Sequence, residues 1–84
     1  MTLFIADHVS WQNVPGELVL FDLRDGHYHA LNGTAAEIWR AIAAGQDAPA
    51  IVAGLRAQHA APAHEIERAV EDFIAAARGK GLLA

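Results

Sequence analysis

Leu18 to Ile42 reads LVLFDLRDGHYHALNGTAAEIWRAI, and the fold turns on how this run is parsed. Val19, Phe21 and Leu23 alternate with Leu18 and Leu20, so a strand over Glu17–Leu23 carries apolar side chains on both faces. That pattern suits a central strand covered at least partly on each side. Arg24-Asp25-Gly26-His27 is a hairpin signal, because Asp and Gly tolerate positive φ. A two-residue loop pairs Leu23 with Tyr28 and Phe21 with Ala30. A three-residue loop closed by Gly26 pairs Leu23 with His27 and Phe21 with His29. The first is preferred because it gathers Val19, Phe21, Leu23, Tyr28 and Ala30, but the register stays open. After a third strand over His27–Leu31, a helix begins near Asn32-Gly33-Thr34. Thr34 and Glu37 fit a capping box, with Asn32 as an alternative cap. Ala35, Ile38, Trp39 and Ile42 recur at helical spacing as its buried stripe, and Gly45 is its stop.

Upstream, Val9, Trp11 and Val14 interleave with polar residues as in a half-buried strand, ended by Pro15-Gly16. Leu3–Ile5 is a shorter β-prone piece. Downstream, Asp47 caps a second helix whose small apolar face is Ile51, Val52 and Leu55, fading near His59. Pro62 opens a third helix with the stripe Ile66, Val70, Phe73, Ile74 and Ala77. Gly79 and Gly81 break it, and Leu82-Leu83 fold back onto the core. Strands followed by helices imply an α+β class: an antiparallel sheet with the helices on one side.

The 84 residues suit one domain, 1–84. Such a chain buries about 60–65% of its unfolded surface, so its core is limited. The net charge of −4, one lysine and five scattered arginines argue against phosphate neutralisation and so against a nucleic-acid partner. The absence of cysteine excludes disulfides and thiolate sites. The N-terminal MTLFIADHVSW lacks a basic leader, and no apolar run reaches the ~20 residues of a membrane span, so a cytoplasmic protein is expected.

Few residues look chemically active. His27 and His29 point to one face of a strand, with Asp22 and Arg24 beside them under the two-residue turn. Two imidazoles and a carboxylate could hold a metal, but no further ligand stands nearby, and a solvated hairpin end explains them as well. His8, His59 and His64 read as isolated surface residues. No nucleophile elbow or phosphate loop is present, so neither catalysis nor a cofactor is expected. A winged helix-turn-helix-like topology would put the third helix in a DNA groove, but Glu65, Glu67, Glu71 and Asp72 outnumber Arg68 and Arg78 on it. The third strand is short and passes straight into a helix, so it reads as a sheet edge able to accept an extended peptide, with the third helix as the other wall. The plainer alternative is an edge merely tolerated, or covered by Leu3–Ile5.

Asp25–His29 (DGHYH) followed by Leu31–Trp39 (LNGTAAEIW), with Asp72–Ile74 (DFI) and Gly81–Leu83 (GLL) later, resembles the PqqD-like family from Val9 onward. The resemblance implies a three-stranded antiparallel sheet followed by three helices, acting as a recognition element for ribosomally made, modified peptides. It implies that a precursor's leader adds as a strand along the third strand and packs on the third helix. Carried onto this chain, that names His27, Tyr28, His29, Ala30 and Leu31, and on the helix Arg68, Glu71, Asp72 and Ala75. The Asp-Leu-Arg-Asp-Gly-His-Tyr stretch (Asp22–Tyr28) is most similar to the stand-alone lasso-peptide version, whose partners are a leader peptidase and a cyclase. The branch serving pyrroloquinoline quinone synthesis is the alternative.

Overall fold

The computed structural model describes residues 3–31 and 33–84. Strands β1 (Val9–Val14), β2 (Glu17–Asp22) and β3 (His27–Leu31) precede helices α1 (Gly33–Ala43), α2 (Ala48–Gln58) and α3 (Ala63–Gly79). The sheet is antiparallel in the order β1-β2-β3, so β3 is an edge strand. The chain is thus α+β, three strands followed by three helices, as the sequence implies.

The hairpin register differs from both expected loops. Asp22 pairs with His27, Phe21 with Tyr28 and Val19 with Ala30, leaving Leu23 to Gly26 as the loop. The reason lies in Asp22 itself. Its backbone C=O accepts the Gly26 N–H at 2.8 Å, and its carboxylate accepts the Arg24 N–H at 2.9 Å. Asp25 likewise accepts the His27 N–H at 3.0 Å. Side-chain acceptors close a longer turn than Asp-Gly alone requires. The register is offset by an even step from the preferred one, so the face grouping of Val19, Phe21, Tyr28 and Ala30 survives.

The two faces of β2 are unequal. Leu18 and Leu20 are fully buried beneath the helices with Ile38, Trp39, Ile42, Ile51, Val70 and Ala77. Each such large side chain contributes about 1.5–3 kcal/mol on burial. On the opposite face Val19 and Phe21 are half-buried, and Tyr28 is 73% exposed. The expectation of a strand covered at least partly on each side holds: the helices bury one face, and the other is covered only in part.

Helix ends follow local chemistry. Asp47 Oδ1 accepts the Ala50 N–H at 3.0 Å to cap α2, with Pro49 in its first turn. Gly45, at φ +88°, follows α1. The Thr34–Glu37 capping box does not form: α1 starts at Gly33, which puts Thr34 inside its first turn, and the Glu37 carboxylate meets His59 Nε2 at 2.8 Å. The alternative cap, Asn32, lies outside the described residues.

Leu3–Ile5 does not cover β3. Ile5 bridges Leu83, Ala6 N–H donates to Leu82 O at 3.0 Å, and Ala84 N–H donates to Phe4 O at 2.8 Å. His8, expected at the surface, is half-buried, its Nε2 2.7 Å from Gly81 O. Leu82 and Leu83 are buried, as their apolar character requires.

Gly81 sits at φ +74°, and a Cβ there would come within 2.6 Å of the Arg24 guanidinium. Gly79 ends α3 with open space around it. Gly81→Ala should therefore lower stability by about 1 kcal/mol or more, while Gly79→Ala should raise it by about 0.5 kcal/mol. Urea denaturation of the two variants checks the opposite signs.

Candidate functional site

A groove of about 150 Å³ runs between β3 and α3. Leu20, His29 and Leu31 form its sheet side, Phe73, Ala76, Ala77 and Lys80 its helix side, and Ala35 and Leu82 its ends. The walls are nearly all apolar, and small residues on α3 leave the space. At about 3.6 residues per turn, Phe73 and Ala76 occupy one flank of α3, continued by Lys80 just past its end, beside the buried stripe of Ile66, Val70, Ile74 and Ala77. A second hollow of about 210 Å³ lies towards the start of the same helix, between Thr34, His59, Glu65, Ile66 and Ala69.

The outer edge of β3 borders this groove, and among the described residues no strand pairs with it. In an antiparallel edge every other residue directs its N–H and C=O outward, which presents a row of main-chain donors and acceptors. An edge next to an apolar groove can bind an extended peptide twice over, through the main chain and through alternate side chains.

The expected residues separate by face. His29 and Leu31 are half-buried and line the groove. His27 shares their side of the strand at the exposed hairpin end, whereas Tyr28 and Ala30 share the opposite face with Phe21 and Val19. On α3, none of Arg68, Glu71, Asp72 and Ala75 lines the groove. Glu71 instead borders a hollow towards α2 with Glu67, Pro49 and Val52, and Arg68, Asp72 and Ala75 are exposed. Helical periodicity places a wall opposite the stripe, but the groove opens at the stripe's edge. Phe73, Ala76, Lys80, Ala35 and Leu82 are the groove residues the sequence reading did not place there. Phe73–Ala76–Lys80, spaced three and four apart, was the available signal.

Asp22 and Arg24 hold the hairpin to the far end of the groove. Asp22 is 2% exposed, and Arg24 Nε and Nη2 donate to its two oxygens at 3.1 and 2.8 Å. Arg24 Nη2 also donates to Lys80 O at 3.0 Å. The Arg24 hydrogen bonds, from side chain and then backbone, hold the Asp22 carboxyl well below the usual carboxylate range. The same bonds raise the Arg24 guanidinium. With both Asp22 oxygens engaged by Arg24, the carboxylate expected beside His27 and His29 is not free for a metal. Among the described residues no cluster of three His, Asp or Glu could hold one. His27 contacts Asp25 instead, at 3.2 Å.

The family model for "Coenzyme PQQ synthesis protein D (PqqD)" matches residues 17–83. The chain belongs to the PqqD family. Among solved structures it is similar to "TbiB1 in Complex with the TbiA(beta) Leader Peptide", with 30% identity and a TM-score of 0.91 over 95% of this chain and 93% of that one. It also superposes on "Lasso peptide synthetase B1 complexed with the leader peptide", with a TM-score of 0.90 over 98% and 96% of the two chains. At 22% identity, this second likeness concerns the fold. No curated protein matches the chain in sequence.

Because the Asp22 carboxyl is depressed in the folded PqqD-family chain, the stability it confers is complete above its unfolded value of about 3.9 and is lost as pH falls below that. Thermal melts should show no pH dependence from this pair between pH 7 and about 5, where its contribution is full and constant, then a decline in acid. Asp22→Asn should lower the melting temperature at pH 7 by several degrees and flatten that acid decline. An unchanged melt at pH 7 would remove the clamp from the account.

Proposed function

We propose that this chain is a non-catalytic adaptor of 84 residues, forming one domain, that binds the leader of a ribosomally made precursor peptide. The leader adds as a fourth strand along His27–Leu31, and alternate side chains enter the groove towards Phe73, Ala76 and Lys80. Delivery to a leader peptidase or cyclase in lasso-peptide biosynthesis, in the cytoplasm, completes the role. One observation carries the reading: an edge strand unpaired among the described residues and bordering an apolar groove, in a chain 30% identical to one solved with a leader peptide.

The chemistry suits such a task. Main-chain pairing supplies affinity with little dependence on leader sequence, and the groove supplies selectivity. Each added hydrogen bond contributes about 0.5–1.5 kcal/mol net, so apolar side chains must provide much of the rest. The surface of α3 exposes Glu65, Glu67, Glu71 and Asp72, an arrangement that repels duplex phosphates. A precursor chaperone for pyrroloquinoline quinone synthesis uses the same geometry and is the second reading, favoured by the family description.

Titration with a synthetic leader of a lasso-peptide precursor, followed by amide shifts, should move His27–Leu31 and the stretch from Phe73 to Lys80 at the end of α3. Ala76 is exposed, so Ala76→Arg should fold normally yet block the groove. Loss of about 1.4 kcal/mol or more, tenfold in Kd, is expected. Silent β3 amides at saturating peptide, or unchanged affinity in Ala76→Arg, would sink strand addition at this edge. Tighter binding of a pyrroloquinoline quinone precursor than of the lasso leader would select the second reading.

A further inference from the structure

A peptide added to β3 has two faces, and the two faces of this sheet offer different surfaces. His29 and Leu31 stand opposite Leu20 and Leu18 on the groove side, whereas Tyr28 and Ala30 stand opposite Phe21 and Val19 on the other. Side chains of an added strand alternate in the same way. Those that miss the groove must land beside Tyr28 and Ala30.

The surface waiting there is apolar and open. A shallow hollow of about 410 Å³ on this face lies over β1 and β2, between Ser10, Gln12 and Val14 on one side and Val19, Phe21 and Tyr28 on the other; Tyr28 is its border towards the β3 edge, and Ala30 lies outside it. Leu23 is 60% exposed and Tyr28 73%. The Tyr28 ring is braced edge-on against Phe21, with centroids 5.0 Å apart and planes at 60°. Ala30 contributes only a methyl group, which leaves a notch on the outermost strand between Tyr28 and the end of β3. A cross-strand neighbour of Ala30 would place its Cβ about 4.5–5.5 Å away. From there a large side chain can lie over the methyl towards Val19, with one flank on the Tyr28 ring.

We infer that β3 reads its peptide from both faces, with Tyr28 and the Ala30 notch forming a second subsite for an aromatic or large aliphatic side chain. This rests on the strand-addition reading above. The groove anchor and this second anchor sit on opposite sides of one extended strand, so they are separated by an odd number of residues. A groove acting alone would leave the alternate positions unselected. A second copy of the chain is a poorer occupant of this face. Two six-residue strands and one of five present about 280 Å², so a face-to-face pair buries about 560 Å², under half of the ~1,200 Å² of a stable interface.

The test is an mRNA-display selection of random dodecapeptides on the full chain. Enriched sequences should share two apolar positions an odd number of residues apart, one of them aromatic or large aliphatic. Repeating the selection on Tyr28→Ser, at a position too exposed to disturb the fold, should keep one preference and erase the other. A synthetic copy of the leading peptide should bind Tyr28→Ser about two- to tenfold more weakly and Tyr28→Phe as tightly as the parent. Peptides selected only at even spacing, or bound equally by Tyr28→Ser, would overturn the second subsite and leave strand addition standing. Failure to enrich any extended peptide would overturn both.

Discussion

The groove exists because a buried aspartate at the end of β2 is met by a guanidinium two residues later. Asp22 lies beneath the sheet at the point where the chain must leave it, and a lone carboxylate there would be costly. Arg24 removes that cost with three hydrogen bonds, one from its main chain and two charge-assisted ones from its side chain. The same guanidinium reaches Lys80 O, and His8 Nε2 approaches Gly81 O from the other side. The hairpin that starts β3 is thereby tied to the turn that ends α3. These elements are the two walls of the groove, and their separation is set at this one place.

Once the walls are fixed, their composition decides what the space accepts. Large side chains fill the interior between β2 and the helices, while alanines at 35, 76 and 77 stop the filling short of the β3 edge. Phe73 and Leu31 are then left half-buried. They are as apolar as the core residues beside them, but one flank of each lacks a partner. An added strand would supply it, completing the core rather than touching a finished surface.

The strands, the three helices, the Asp47 cap and the role of β3 as an edge were all legible in the sequence, because alternation, helical stripes and Gly/Pro punctuation are local signals. The loop length was not. Asp22 read as a carboxylate beside His27 and His29 at a solvated hairpin end, and its action as the acceptor closing the turn depends on burial that only the assembled fold creates. The position of the helix wall was lost for a related reason. Phe73 belongs to the same stripe as Val70 and Ile74 on a helical wheel, and only its spacing with the small Ala76 and with Lys80 marks it as facing a gap at the core's margin. Partial cover on the second face of β2 was legible too, but not its extent, because Val19 and Phe21 are as apolar as Leu18 and Leu20.

The shortness of β3 has a kinetic consequence. Five residues directing every other main-chain pair outward offer only about four to six hydrogen bonds to an added strand. At about 1 kcal/mol net each, these fall short of the roughly 8 kcal/mol of a micromolar complex. With ordinary association rates near 10⁶ M⁻¹s⁻¹, a micromolar complex dissociates in about a second. A leader bound by the proposed mode would have a residence time set by its side-chain anchors rather than by its main-chain bonds.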